Sequence, residues 1–87
     1  MDAPVDLDQR IVKMISQLVP VKPENIGRQD RLREDLGMDS VASMELLSML
    51  AEELDLDVGV EDVADVRTVG ETIELARRFL GRKAATA

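Results

Sequence analysis

Three stretches of this chain carry apolar residues at helical steps of three and four, and no two stretches alternate in the way paired strands need. Leu7, Ile11, Ile15 and Leu18 form the first stripe, with Val12, Met14 and Val19 beside them. Asp6 can cap that stripe, and Pro20 and Pro23 stop it, which predicts a helix over 7–19. A second helix is predicted over 40–54, with Leu47, Leu50, Ala51 and Leu54 facing the core and Leu46 at the edge. In the last stripe, Val69, Ile73, Ala76 and Leu80 face inward with Phe79 alongside. A Thr68–Glu71 capping box opens it, Arg77 and Arg78 suit its C-terminal dipole, and Gly81 is a natural stop.

The segments between these stripes decide the fold class. Leu54 to Val60 alternates like a strand, but it has no partner and reads as an extended loop with Leu56 and Val58 inward. Glu61 to Val66 fits a short helix with Val63 and Val66 inward. Val21 to Met38 is a long polar connection, broken by Pro23, Asn25, Gly27 and Gly37. Loops this long carry structure or function, so Ile26, Leu32 and Leu36 are expected to anchor it, with room for a single helical turn. The expectation is an all-α fold: a small four-helix bundle of three main helices and one short one, with a long first loop. We expect a single domain over 1–87, ordered over about 6–81, with a loose tail at 83–87. Its core should hold Leu7, Ile11, Ile15, Leu18, Leu47, Leu50, Leu54, Ile73, Ala76 and Leu80.

Charge narrows the partners. From Glu34 to Val66 there is no Lys or Arg, yet eleven of the eighteen acids fall there. Such a stretch repels nucleic-acid phosphates and attracts basic protein surfaces. Arg28, Arg31 and Arg33 read as solvated charge balancing this acidic half. The absence of cysteine excludes disulfides and thiolate metal sites and fits a reducing, cytoplasmic setting. No apolar run reaches the ~18 residues of a membrane span. Asp55-x-Asp57 fails as a calcium loop, because Val60 stands where glycine is needed and Val66 where the closing glutamate belongs. No metal site is expected.

Within the acidic half, Asp35-Leu36-Gly37-Met38-Asp39-Ser40 ends where the second helix begins. Asp39 is a favoured N-cap, and Ser40 then lies in the first turn, beside unpaired N–H groups and the positive end of the helix dipole. A phosphate ester on that hydroxyl would sit in a favourable field. Gly37 lets the approaching backbone take conformations closed to other residues. On the helix, Val41, Met44, Glu45, Ser48 and Glu52 form a second stripe that mixes apolar and acidic side chains and begins beside the serine.

The six-residue motif resembles the D-L-G-x-D-S signature of acyl carrier proteins, and Val41-Ala-Ser-Met-Glu-Leu-Leu is similar to the helix that follows it there. The likeness runs from about Asp6 to about Leu80; Val41 stands for the family's usual leucine, and Leu32 for a common aromatic. It implies that Ser40 is esterified with 4′-phosphopantetheine from coenzyme A, with Asp35, Gly37 and Asp39 in the attachment motif. It further implies that a phosphopantetheinyl transferase loads the arm with magnesium, Asp39 helping to present the serine. Acyl groups would then ride on the arm's thiol. Val41, Met44, Glu45, Ser48 and Glu52 would meet the basic docking surfaces of loading, elongating or transferring enzymes, with the carrier a monomer.

The chain has no catalytic means of its own. Without histidine or cysteine, the usual nucleophile–base systems and zinc sites cannot be built. The expected function is a discrete, non-catalytic carrier for fatty-acid or polyketide-type synthesis. An aliphatic core with a single aromatic residue suggests that apolar cargo shelters between the helices. Two alternatives stand beside it: an aminoacyl or peptidyl carrier, and an unmodified acidic adaptor. Leu36-Gly37-Met38, where peptidyl carriers often show Gly-Gly, favours the acyl type.

Overall fold

The computed structural model describes the backbone of residues 7–86 and the side chains of residues 7–82. Helix α1 spans Leu7–Ser16, α2 Ser40–Glu53, α3 Val60–Ala64 and α4 Val69–Thr86, with one 3₁₀ turn at Pro23–Asn25. This is the expected all-α bundle of three main helices and one short one. Helix α1 packs on α4 and α2, and α2 packs on α3.

Helix α1 is shorter than the 7–19 read from its stripe. After Ser16 the bonds tighten, with Gln17 N–H donating to the Met14 carbonyl at 3.1 Å and Leu18 N–H to that of Ile15 at 2.9 Å. Pro20 has no N–H and pushes the residue before it out of the helical region, so its influence reaches back into the last turn. The Asp6 cap lies outside the described residues.

The long loop is fastened from inside and from one side. Ile26, Leu32 and Leu36 are all buried, as expected. A short antiparallel bridge between Arg31 and Thr68, which the sequence did not announce, holds the loop to the start of α4. Leu32 N–H donates to the Arg67 carbonyl at 2.8 Å, Val69 N–H to that of Asp30 at 3.0 Å, and Gly70 N–H to that of Arg28 at 2.8 Å. A Cβ on residue 70 would lie 3.2 Å from that Arg28 carbonyl oxygen, so glycine permits the close approach. The arginines of the loop are more than solvated balance for the acidic half. Arg28 pairs with Asp8 and, at 3.6 Å, with Glu74, while Arg77 reaches Asp8 at 3.3 Å and Glu74 at 3.7 Å. This exposed network ties α1, the loop and α4 together.

The core confirms six of the expected positions: Ile11, Ile15, Leu50, Leu54, Ile73 and Ala76 are buried. Leu7, Leu18, Leu47 and Leu80 are only partly buried at its margin. On α2 the face is turned from the one expected: Leu46 is 1% exposed and aligns with Ala42 and Leu50, while Leu47 lies at the side. Val69 is buried as its stripe predicts, Met38 and Leu75 also join the core, and buried Thr72 donates its hydroxyl to the Thr68 carbonyl at 3.0 Å.

Leu54 to Val60 forms no strand: Leu54 caps α2, residues 55–59 are a loop as read, with Leu56 buried and Val58 half-buried, and Val60 already opens α3. The loop leaves α2 through Asp55 at φ 54°, a left-handed conformation that aspartate tolerates better than most residues. The short helix covers Val60–Ala64 instead of 61–66, its first amide region closed by Gly59 N–H donating to Asp62 at 2.9 Å. The Thr68–Glu71 box forms in both directions, at 3.1 and 3.3 Å. Gly81 does not stop α4, which runs on to Thr86, so 83–86 are helical backbone where a loose tail was expected. Gly81 is not left-handed, and a glycine costing ~1 kcal/mol is outweighed by the helix formers around it.

Candidate functional site

The site is built at the start of α2. Asp39 adopts an extended conformation (φ −104°, ψ −173°) and its carboxylate accepts from Ala42 N–H at 2.8 Å, which makes it the N-cap. Ser40 is therefore the first helical residue, and it is exposed. Its hydroxyl has no protein partner among the described residues, and neither do the amides of Ser40 and Val41. A hydroxyl open to solvent beside two bare amides, at the positive end of a 14-residue helix, is suited to bearing a phosphate ester.

The approach is shaped by a tight turn. Leu36 N–H donates to the Arg31 carbonyl at 3.1 Å, Gly37 N–H to that of Arg33 at 3.1 Å, and Met38 N–H to that of Leu32 at 2.8 Å. Gly37 sits at φ 76° in the left-handed region, with open space where a Cβ would stand. Met38 is buried and pins the strand-like step into the core just before Asp39 and Ser40.

Asp35 takes a different place from its neighbours in the motif. One carboxylate oxygen accepts from the Arg31 backbone N–H at 2.7 Å and from the guanidinium Nε at 3.3 Å. The backbone bond first, then the guanidinium bond, hold the Asp35 carboxyl below the usual carboxylate range. Asp35 thus closes the turn that delivers Ser40, and it does not line the cleft beside that serine.

That cleft, about 620 Å³, opens between α2, α3 and the long loop, with Ser40 and Ser43 on its wall. Leu46, Leu47, Val63 and Val66 give it an apolar floor, and Arg31, Arg33 and Arg67 stand on its rim. The arginine rim was not evident in the sequence, because Arg33 and Arg67 come to the same cleft only through the loop-to-α4 bridge. Along the outer side of α2, Val41 is 68% and Met44 49% exposed, and Glu45, Ser48 and Glu52 are exposed with them. The five residues of the second stripe therefore share one solvent face. Among the described residues no group of His, Cys, Asp and Glu is placed to hold a metal ion, and no helix is long and apolar enough to cross a membrane.

Comparison with known proteins bears on the family and the fold. Residues 9–76 match the family described as "Phosphopantetheine attachment site". The chain is 33% identical over 79 residues to the acyl carrier protein of Saccharopolyspora erythraea, covering 91% of this chain and 83% of the relative. It is 30% identical over 73 residues to that of Buchnera aphidicola, covering 84% and 91%. In fold it is similar to the apo doublet acyl carrier protein from prodigiosin biosynthesis, with a TM-score of 0.72 at 22% identity over 83% of this chain and 35% of that one. It is likewise similar to the Thermotoga maritima acyl carrier protein, with a TM-score of 0.66 at 20% identity over 91% and 98%. The chain belongs to the acyl carrier proteins, non-catalytic carriers of acyl groups on a covalently bound 4′-phosphopantetheine.

Proposed function

We propose that Ser40 bears the 4′-phosphopantetheine arm, and that the holo chain is a discrete cytoplasmic carrier of acyl thioesters in fatty-acid or polyketide-type synthesis. The observation that carries this reading is the exposed Ser40 hydroxyl at the first position of α2, beside two bare amides and open to the cleft. The bound arm supplies the thiol, which the chain lacks, as an acyl anchor.

Each residue of the motif then has a task. Asp39 fixes the first turn through Ala42 N–H and so holds the Ser40 side chain outward. Gly37 and Asp35 set the turn before it, and the α2 amides stabilise the ester's negative charge. A phosphopantetheinyl transferase would use coenzyme A and magnesium, the serine oxygen forming the new phosphoester bond as the adenosine bisphosphate leaves. Val41, Met44, Glu45, Ser48 and Glu52 would meet basic docking surfaces, the acids steering encounter and the apolar side chains giving contact area.

Intact-protein mass after incubation with coenzyme A, magnesium and a broad-specificity transferase tests the assignment. Wild type should gain one phosphopantetheine and Ser40→Ala none. Equal gain in both would move the attachment to another residue, and gain in neither folded chain would favour the acidic adaptor.

A further inference from the structure

Five of the eight arginines of this chain fall into two groups; of the others, Arg10 donates to the Glu53 carbonyl at 3.4 Å, Arg82 lies over the Phe79 ring, and Arg78 is outside the cleft. Arg28 and Arg77 are tied to Asp8 and Glu74, which accounts for them structurally. Arg33 and Arg67 have no side-chain partner among the described residues, and Arg31 is shared with the single carboxylate of Asp35. All three of the latter stand on the rim of the cleft that Ser40 opens into. In sequence, Arg33 directly precedes the base-free acidic segment and Arg67 directly follows it. The Leu32 N–H to Arg67 carbonyl bond, 2.8 Å, draws those two ends together. A chain of net charge −7 thus gathers three guanidinium groups at one opening, with Glu34 the only acid among the lining residues.

Resting on the assignment of Ser40 as attachment residue, we infer that this cleft selects acyl chains carrying acceptor oxygens, carboxylate or keto, beyond the thioester. The floor of Leu46, Leu47, Val63 and Val66 takes the carbon chain. The guanidinium groups, charged at every working pH, donate to the oxygens in planar forks. A plain alkyl chain gains only the floor. An amino-terminated chain meets the like charges of Arg33 and Arg67 at the rim, Arg31 being offset by Asp35, which sets the aminoacyl class apart from the oxygenated one. The reaction that supplies the cargo is then one that leaves oxygens on the growing chain instead of reducing it fully.

The test loads the full chain from non-hydrolysable coenzyme A amides of three acyl groups of equal length, ending in methyl, carboxylate or ammonium. Mass confirms loading; melting temperature and the Arg Nε–H resonances report on the cleft. The carboxylate chain should shift the Nε resonances of Arg33 and Arg67 and melt higher than the methyl chain. The ammonium chain should shift neither. In R33Q/R67Q the melting difference between carboxylate and methyl cargo should vanish. Identical arginine resonances for all three cargoes in a loaded wild-type chain would overturn the inference alone. Failure of wild type to gain mass would overturn the attachment reading and this inference with it.

Discussion

Leu46→Ala and Leu47→Ala are adjacent substitutions of the same kind, and the structure predicts very different costs. Both leucines border the cleft, but Leu46 is 1% exposed, in line with buried Ala42 and Leu50, whereas Leu47 is only partly buried and lies at the margin of the core. Truncating a fully buried leucine removes its transfer energy and leaves a cavity, about 3 kcal/mol and within a range of roughly 2–5. A domain of this size loses about 4–8 °C of Tm per kcal/mol. Leu46→Ala should therefore melt about 12–24 °C lower than wild type. Leu47 already touches open cleft, so little cavity forms, and its truncation should cost about 1 kcal/mol or less. Urea titration followed by far-ultraviolet circular dichroism measures both, and an unchanged m-value would confirm that the difference lies in the native state. Equal costs, or a larger cost for Leu47→Ala, would refute the rotation of α2 on which the cleft depends.

Other perturbations separate backbone, charge and cap. Gly37→Ala should cost about 1–2 kcal/mol from left-handed backbone strain alone, since a methyl there meets nothing within 4 Å; a loss near zero by urea titration would contradict the φ of 76°. Asp35 has a lowered pKa, so its ionised form stabilises the fold above its unfolded value of about 4, and that contribution is lost as pH falls through the folded value. Acid unfolding should accordingly show wild type and Asp35→Asn converging below about pH 4, and a gap unchanged down the whole acid limb would count against the Arg31 pairing. Asp39→Ala should cost about 1 kcal/mol through the lost cap on Ala42 N–H, read as a lower Tm. Moderate NaCl should raise Tm by a few degrees, because relief of repulsion among eleven acids outweighs the exposed Arg28 and Arg77 pairs, each worth about 0–1 kcal/mol; a flat or falling Tm would reverse that balance.

Local chemistry was legible where it is local. The Asp39 cap, the Thr68–Glu71 box, the exposed second stripe of α2 and the loop anchors Ile26, Leu32 and Leu36 each follow from residues within one or two turns, and each is found. What the sequence hid depends on distant partners. The Arg31–Thr68 bridge joins segments far apart in the chain, and without it Arg33 and Arg67 have no reason to be read as neighbours. The end of α1 was misplaced because a proline's effect extends backward by a turn. The end of α4 was misplaced because glycine stops a helix by turning left-handed, and Gly81 does not.

The misread face of α2 has a reason that bears on function. Leu46, Leu47, Met49 and Leu50 are consecutive apolar or nearly so, and an apolar stripe cannot be assigned to one side of a helix that is apolar on several. A helix serving only a core would carry polar residues opposite Ala42, Leu46 and Leu50. This one instead gives Leu47 to the cleft and presents Val41 and Met44 to solvent, 68% and 49% exposed. Those exposed side chains have a cost in water that the fold does not require. They are intelligible if α2 faces three environments in turn: the core, the space beside Ser40, and the surface of another protein. On the function proposed above, the ambiguity in the periodicity is what a helix serving core, cargo and partner at once would leave in the sequence.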